Sequence, residues 1–256
     1  VEYCALGHKV SGNLNFPRRI NTAFLNASVY KIHKKFVDSV KDALKLRNIV
    51  APVYMLKADG GTIKIEESLE NPAQTITSGP AASIMGILGL VREKECVVAL
   101  DIGGTTTDIA IIHKGAPLLE PEGIKIGKYN TLIRALLTRS IGVAGDSKVK
   151  FIDGKFIIGP ERESVAFCMG GSTVTPTDAA RVLGISDYGD ENLAIEGIRK
   201  ISNTCGKELI ETAQEIVDVF VATIADNINE MISYLNERPV YTIHELIEGA
   251  EIKPTL

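Results

Sequence analysis

Between Cys96 and His113 the chain reads apolar, then polar, then apolar again. Two runs of strand length and strand composition flank the segment Gly103-Gly104-Thr105-Thr106-Thr107, with Asp101 and Asp108 at its edges. The pattern predicts a strand over 96–102, a tight turn, and a second strand over 107–113. Elsewhere the period is helical. Ala23, Ala27, Tyr30, Val37, Val40 and Leu44 recur at steps of three, four and seven, which predicts a helix over 21–47 capped by Asn21, with Lys31, Lys34, Lys35, Lys41 and Lys45 on its solvated face. Residues 50–56 read as a strand running into the turn Asp59-Gly60-Gly61, and Ser78-Gly79-Pro80 opens an apolar helix from Ala81 to about Val91. Val149–Ile152 and Lys155–Ile158 flank Asp153-Gly154, a two-residue hairpin signal. A short helix is expected after Pro176. From residue 191 the pattern is helical throughout, with one stripe through Leu209, Ala213, Ile216, Phe220, Ile224, Ile228, Met231 and Leu235 that reads as packing surface. Thr242-Ile243-His244-Glu245 reads as a capping box for a last short helix, with His244 at the surface.

Composition narrows the function classes. At 256 residues and 45% hydrophobic, the chain can bury a full core. A net charge of −4 without a basic cluster gives no footing for nucleic acid. No apolar run approaches the roughly 20 residues of a bilayer-spanning helix, and Val1-Glu2-Tyr3-Cys4 does not open a signal peptide. Cys4, Cys96, Cys168 and Cys205 lie far apart and read as reduced, mostly buried thiols of a cytoplasmic protein, not as zinc ligands. The four histidines are equally scattered.

The glycine-threonine turn carries the chemistry. Glycines let backbone N–H groups approach an anion, the threonine hydroxyls add donors, and successive turn amides form an anion-binding concavity. Gly103, Gly104, Thr105, Thr106 and Thr107 are therefore candidate phosphate ligands. Asp101, at the mouth of the first strand, is the candidate catalytic and magnesium-binding acid; Asp108 is the second candidate metal ligand, or an acceptor for turn N–H groups. An ordinary Gly-Gly hairpin is the alternative, against which the unbroken threonine run with flanking acids weighs. Ser78 and Gly79, ahead of a helix, form a second anion seat or a simple cap. Gly142-Val143-Ala144-Gly145-Asp146-Ser147 is a further glycine-rich bend that by itself reads as a loop.

Five segments in order resemble the hydantoinase A/5-oxoprolinase family: Arg19-Ile-Asn-Thr-Ala-Phe-Leu-Asn-Ala27, Lys57-Ala-Asp-Gly-Gly61, Thr77-Ser-Gly-Pro-Ala-Ala82, Asp101-Ile-Gly-Gly-Thr-Thr-Thr-Asp108 and Pro176-Thr-Asp-Ala179. The resemblance covers roughly residues 10–185. It implies an α/β fold of the ribonuclease-H-like, actin-like ATPase type over residues 1–185, followed by a helical C-terminal segment over 186–256. It also implies ATP and Mg2+ as cofactors, and an ATP-dependent amidohydrolase that opens a hydantoin or 5-oxoproline type of ring. Through it Gly145, Asp146 and Ser147 join the candidate phosphate-binding residues. Two stretches depart from the family pattern: Gly142–Ser147 stands where a Gly-Ala-Gly-Gly-Gly-Ser run is usual, and Glu161–Cys168 where a Pro-Gly-Pro-rich segment is expected. Family members resemble one another in an earlier Asp-x-Gly-Gly-Thr hairpin, which this sequence lacks. The chain is accordingly expected to be the second half of a two-jawed ATPase, with a missing N-terminal half, a small-molecule substrate and a hydantoinase B-type subunit as partners. The different class of function held open is a non-hydrolase ATPase that activates another enzyme or serves one-carbon cofactor metabolism.

Overall fold

Glycine-containing turns punctuate short strands through the middle of the chain, while long uninterrupted stretches make the helices at its two ends. The computed structural model describes residues 3–90, 96–120, 122–237 and 241–242. They form two compact units: one from the described residues up to Ala99, Ala110–Thr138 and Tyr241–Thr242, the other from Leu100–Ile109 and Arg139–Glu237. The units part at these points and not at residue 185. Among the described residues no helix is long and apolar enough to cross a membrane.

In the first unit, a short helix α1 (Gly7–Val10) precedes the long α2 (Phe16–Leu46). Helix α2 begins five residues before the expected start. Its cap is Asn15, whose side chain accepts from the Arg18 N–H at 3.1 Å, and Pro17 sits in the first turn where its missing N–H costs nothing. Asn21, the expected cap, instead donates to the Asn130 carbonyl at 2.9 Å. The buried face is also out of phase with the apolar stripe: Thr22, Leu25, Asn26, His33 and Val37 face inward, while Ala27 is exposed. The polar members have partners there. Asn26 accepts from Ala73 N–H (2.9 Å) and donates to the Tyr3 hydroxyl (2.6 Å); Thr22 donates to the Arg18 carbonyl and accepts from Leu132 N–H; His33 shares a 2.8 Å bond with Ser68. An apolar-period argument cannot find a face whose task is to hold loops by hydrogen bonds.

Strands β1 (Tyr54–Leu56) and β2 (Thr62–Lys64) pair around the Asp59-Gly60-Gly61 turn, so the expected strand over 50–56 is only its last three residues. Helix α3 (Ser78–Leu90) includes Ser78 and Gly79 in its first turn; they do not precede it. The hairpin of β3 (Val97–Ile102) and β4 (Thr107–His113) falls where the pattern put it. Next come β5 (Ala116–Leu119), β6 (Lys125–Ile126) with β7 (Tyr129–Asn130), and β8 (Thr138–Ile141). Strands β4 and β5 meet through Lys114-Gly115, both at positive φ, as a tight hairpin of matching twist requires. A sheet runs β11-β5-β4-β3, with β8 also on β4 and β11 formed by Tyr241–Thr242. The rest of the capping box expected at 242–245, His244 included, lies outside the described residues. Ile109, Ala110, Ile111 and Ile112 are all buried, as suits a strand covered on both faces. Ala81 and Ile84 of α3 close over Ala99, Ala110, Ile112 and Leu119 to make this unit's core.

The second unit is built on the hairpin β9 (Val149–Ile152) and β10 (Lys155–Ile158), turned by Asp153 and Gly154 at φ 50° and 78°. Helices α4 (Pro176–Val182), α5 (Glu191–Cys205) and α6 (Leu209–Glu237) follow. Ala213 and Ile216 of the expected α6 stripe enter one core with Ile198, Ala179, Val149 and Phe156. The helical segment therefore shares its core with the strands before it. The cysteines differ from expectation: Cys4 and Cys96 are exposed, and only Cys168 is buried. Burial, then Asp178 beside it, pushes the Cys168 thiol up to about 12, so it stays protonated and serves packing.

Asp178 is fully buried and its carboxylate accepts four bonds: Cys168 N–H (2.6 Å), Phe167 N–H (3.1 Å), Thr175 N–H (2.8 Å) and the Thr175 hydroxyl (2.9 Å). Replacing it with alanine orphans three buried donors at once. Asp178→Ala is expected to lower the unfolding free energy by about 3–5 kcal/mol, read from chemical denaturation.

Candidate functional site

The β3–β4 turn is shaped by bonds to the bend at 142–147. Within the turn, Gly103 N–H donates to the Thr106 carbonyl at 3.0 Å. From the bend, Gly145 N–H donates to the Gly103 carbonyl and Asp146 N–H to the Gly104 carbonyl, each at 3.0 Å. The Thr107 hydroxyl closes the set on the Val143 carbonyl at 2.6 Å. Close approach is what demands glycine here. Neither Gly103 nor Gly104 takes a positive φ, but a Cβ on Gly104 would stand 2.6 Å from the Asp146 carboxylate and one on Gly145 2.9 Å from the Thr177 hydroxyl.

This geometry sorts the candidates. Among the described residues, the amides of Gly104, Thr105 and Thr106 have no acceptor, and Thr105 and Thr106 are exposed. Three successive free N–H groups on a solvent-facing turn are the donor set that an anion needs. Thr107 does not belong with them: its side chain is fully buried and its proton is taken by Val143. Nor do the bend residues. The Gly145, Asp146 and Ser147 amides all donate to protein carbonyls, and the Ser147 hydroxyl, 1% exposed, accepts from Ala144 N–H at 2.8 Å. They brace the turn. Ser78 and Gly79 lie in the first turn of α3, in the first unit, and the turn lies in the second.

Both acids suit a cation. Asp101 is half-buried with no hydrogen bond or ion pair among the described residues, and Asp108 has a buried carboxylate oxygen without a partner. No three His, Cys, Asp or Glu side chains converge among the described residues. Magnesium held here would thus draw its other ligands from water and phosphate, as it ordinarily does.

Two residues outside the candidate set also take part. Arg162 donates to the Thr105 hydroxyl at 2.8 Å and to the Asp146 carboxylate at 2.7 Å, placing a guanidinium against the turn. Its pairing with Asp146 joins the two stretches that depart from the family pattern. Thr177 donates its N–H (3.1 Å) and its hydroxyl (2.8 Å) to the Gly145 carbonyl, fixing the brace from below. Thr177 sits in a segment that carries the resemblance, which was its signal. Arg162 sits where the family pattern fails and had none.

Comparison with known proteins places the chain in a family. The chain matches the family model described as hydantoinase/oxoprolinase over residues 19–242. It is 28% identical to the acetophenone carboxylase gamma subunit of Aromatoleum aromaticum over 81% of this chain and 31% of that subunit. Among solved structures it is similar to nucleotide-free acetone carboxylase, with a TM-score of 0.74 and 22% identity, covering 89% of this chain and 34% of that one. The ATP-dependent caprolactamase of Pseudomonas jessenii gives a TM-score of 0.67 at 21% identity, over 88% of this chain and 35% of that one. The chain spans about a third or less of the length of the curated relatives it matches. Its fold is of the actin-like ATPase type, and the chain belongs to the hydantoinase/oxoprolinase family.

Proposed function

We propose that this chain supplies one jaw of an ATP-dependent enzyme that activates the oxygen of a cyclic amide by phosphorylation, so that water can open the ring. The observation that carries the reading is the turn at 103–107, with three free amides, a guanidinium beside it and two unpartnered carboxylates on its flanking strands. An unstrained amide resists water because its carbonyl carbon is resonance-stabilised. Attack of the amide oxygen on the γ-phosphorus releases ADP and turns that oxygen into a leaving group. Water then adds at the carbon, the C–N bond breaks as the nitrogen takes up a proton, and a second water cleaves the resulting acyl phosphate to carboxylate and phosphate. Such chemistry asks the protein for positioning and charge neutralisation. The amides of Gly104, Thr105 and Thr106 hold phosphate oxygens, and Arg162 adds positive charge through its place on Thr105. Asp101 and Asp108 would hold magnesium, which would neutralise phosphate charge.

A second reading is favoured by the relatives named as carboxylase subunits. The same turn would then serve phosphoryl activation of a different oxygen, ahead of carbon–carbon bond formation. Both share the nucleotide half of the reaction. Assaying the chain joined to an N-terminal half that carries the other phosphate hairpin, with ATP and 5-oxoproline, and separately with ATP, acetophenone and bicarbonate, distinguishes them: ring opening supports the first reading and carboxylation the second.

The turn faces solvent, and so do Val98, Leu100 and Ile102, which alternate along one face of β3. An open turn leaves phosphates in water, where each contact is weaker than in a closed site. The chain alone is expected to bind ATP weakly and to turn it over well below the roughly 1–100 per second of small-molecule kinases, with turnover appearing once an N-terminal half carrying the other phosphate hairpin is joined to it. In that longer protein Asp101→Asn is expected to reduce kcat by about 100-fold or more while the melting temperature is kept, because the carboxylate serves no contact of the fold. Arg162→Ala is expected to raise KM for ATP about 10-fold, a loss near 1.4 kcal/mol, with a smaller change in kcat.

A further inference from the structure

The first unit contains a cavity of about 230 Å³, formed by the loop after α1, the inner face of α2, the β1–β2 turn, residues 71–74 and residues 132–134. This is less than the roughly 300–1,000 Å³ of drug-sized sites, so it admits only a compact molecule. Its frame is rigid and already hydrogen-bonded. The Asn26 amide and the Thr22 hydroxyl are occupied as described above, and Arg19 pins the loop by donating to the Asn13 carbonyl.

Within this frame stands an uneven set of charges. Asp59, with 9% of its side chain exposed, accepts from Gly61 N–H at 3.0 Å, from Lys57 Nζ at 3.2 Å and from Arg134 Nε at 3.2 Å. Burial alone would raise its pKa, but the Gly61 N–H, Lys57 and then Arg134 outweigh it and hold the carboxyl below the ordinary range. One carboxylate thus anchors two cations, and the set carries a net positive charge. Lys57 has further N–H donors beyond its bond to Asp59, and Arg134, 57% exposed, turns Nε and Nη2 to Asp59 Oδ2 at 3.2 Å and keeps its Nη1 donors free. Asn71 and Gln74 complete the lining. The Gln74 side chain has no hydrogen bond among the described residues, and Asn71 Oδ1 is buried without a donor. A net-positive pair beside an orphaned acceptor selects a ligand that brings a negative group and an N–H together.

We propose that this cavity is a binding site for a small carboxylate that also carries an N–H donor, its carboxylate held by Lys57 and Arg134 and its N–H by Asn71. A planar carboxylate matches the forked guanidinium of Arg134. Asp59 does not touch the ligand; it holds both cations at the wall. The site consists wholly of first-unit residues and needs no nucleotide, so its test is independent of the phosphate reading.

Calorimetric titration of the full chain with N-acetylglycine, without ATP, tests it. Saturable binding is expected with a dissociation constant below about 1 mM. N-acetylglycinamide, which keeps the N–H and loses the charge, and propionate, which keeps the charge and loses the N–H, are each expected to bind at least about 10-fold more weakly. Arg134→Gln is expected to weaken N-acetylglycine by a similar factor with its melting temperature kept, since that side chain is half in solvent. Lys57→Gln provides a second variant with the same expectation. Absence of saturable binding, equal binding of the neutral amide or of propionate, or unchanged affinity in folded Arg134→Gln and Lys57→Gln overturns the proposal.

Discussion

The second unit hangs on one buried carboxylate. A charge out of water is tolerated only where its lone pairs are filled, and Asp178 fills its own by gathering the start of α4 and the turn at 167–168 around itself. From that point the order is transmitted by hydrogen bonds. Fixing the first turn of α4 fixes Thr177, which holds the Gly145 carbonyl with two donors. Gly145 and Asp146 then hold the carbonyls of Gly103 and Gly104. The turn is consequently shaped by its carbonyl side, and its amide side is left pointing away with no partner. A glycine-rich turn without this brace would be mobile, and ordering it around an anion would then cost conformational entropy at each residue.

Legibility in the sequence followed the kind of physics each element relies on. The β3–β4 hairpin, the β9–β10 hairpin and the α6 stripe were readable because alternation, helical period and turn residues are local signals. The face of α2 was not. Thr22, Asn26 and His33 point inward because loops far away in sequence need their hydrogen bonds, and a hydrophobic period has no means of registering that demand. The start of the same helix was displaced because Asn21 looks like a cap until Asn15-Phe16-Pro17 is read as one.

At the candidate site the sequence does not say which donors the fold leaves open, for a related reason. Residue type identified glycines, hydroxyls and acids of the right chemistry, but type does not say which donors are already taken. Thr107 and Ser147 carry the same hydroxyl as Thr106, yet theirs are turned inward onto Val143 and Ala144. Asp146 carries the same carboxylate as Asp101, yet it is neutralised by Arg162. That exposed pair contributes little to stability by itself. Its effect is positional: it brings a guanidinium to Thr105 in a stretch where the family pattern gives no hint of one.

Hydrogen-bond capacity left over after folding is therefore the better guide to chemistry in this protein. Buried polar groups in a folded chain are nearly all paired, since an unpaired one costs about 1–3 kcal/mol. Groups that stay unpaired in a well-braced setting are correspondingly informative. In the second unit these are the amides of Gly104 to Thr106 and the acids Asp101 and Asp108, which together suit an anion with its cation. In the first they are the Asn71 and Gln74 amides and the free donors of Lys57 and Arg134, which suit a different, smaller anion. The two sets differ in what supplies the positive potential: backbone dipoles and one arginine in the turn, two side-chain cations anchored by Asp59 in the cavity. Dipoles oriented by a fixed backbone favour the diffuse charge of a phosphate chain, whereas a forked guanidinium beside an ammonium favours a planar carboxylate. The ligand classes thus follow from which donors the fold leaves open, and the fold leaves them open because Asp178 and Asp59 hold the groups behind them in place.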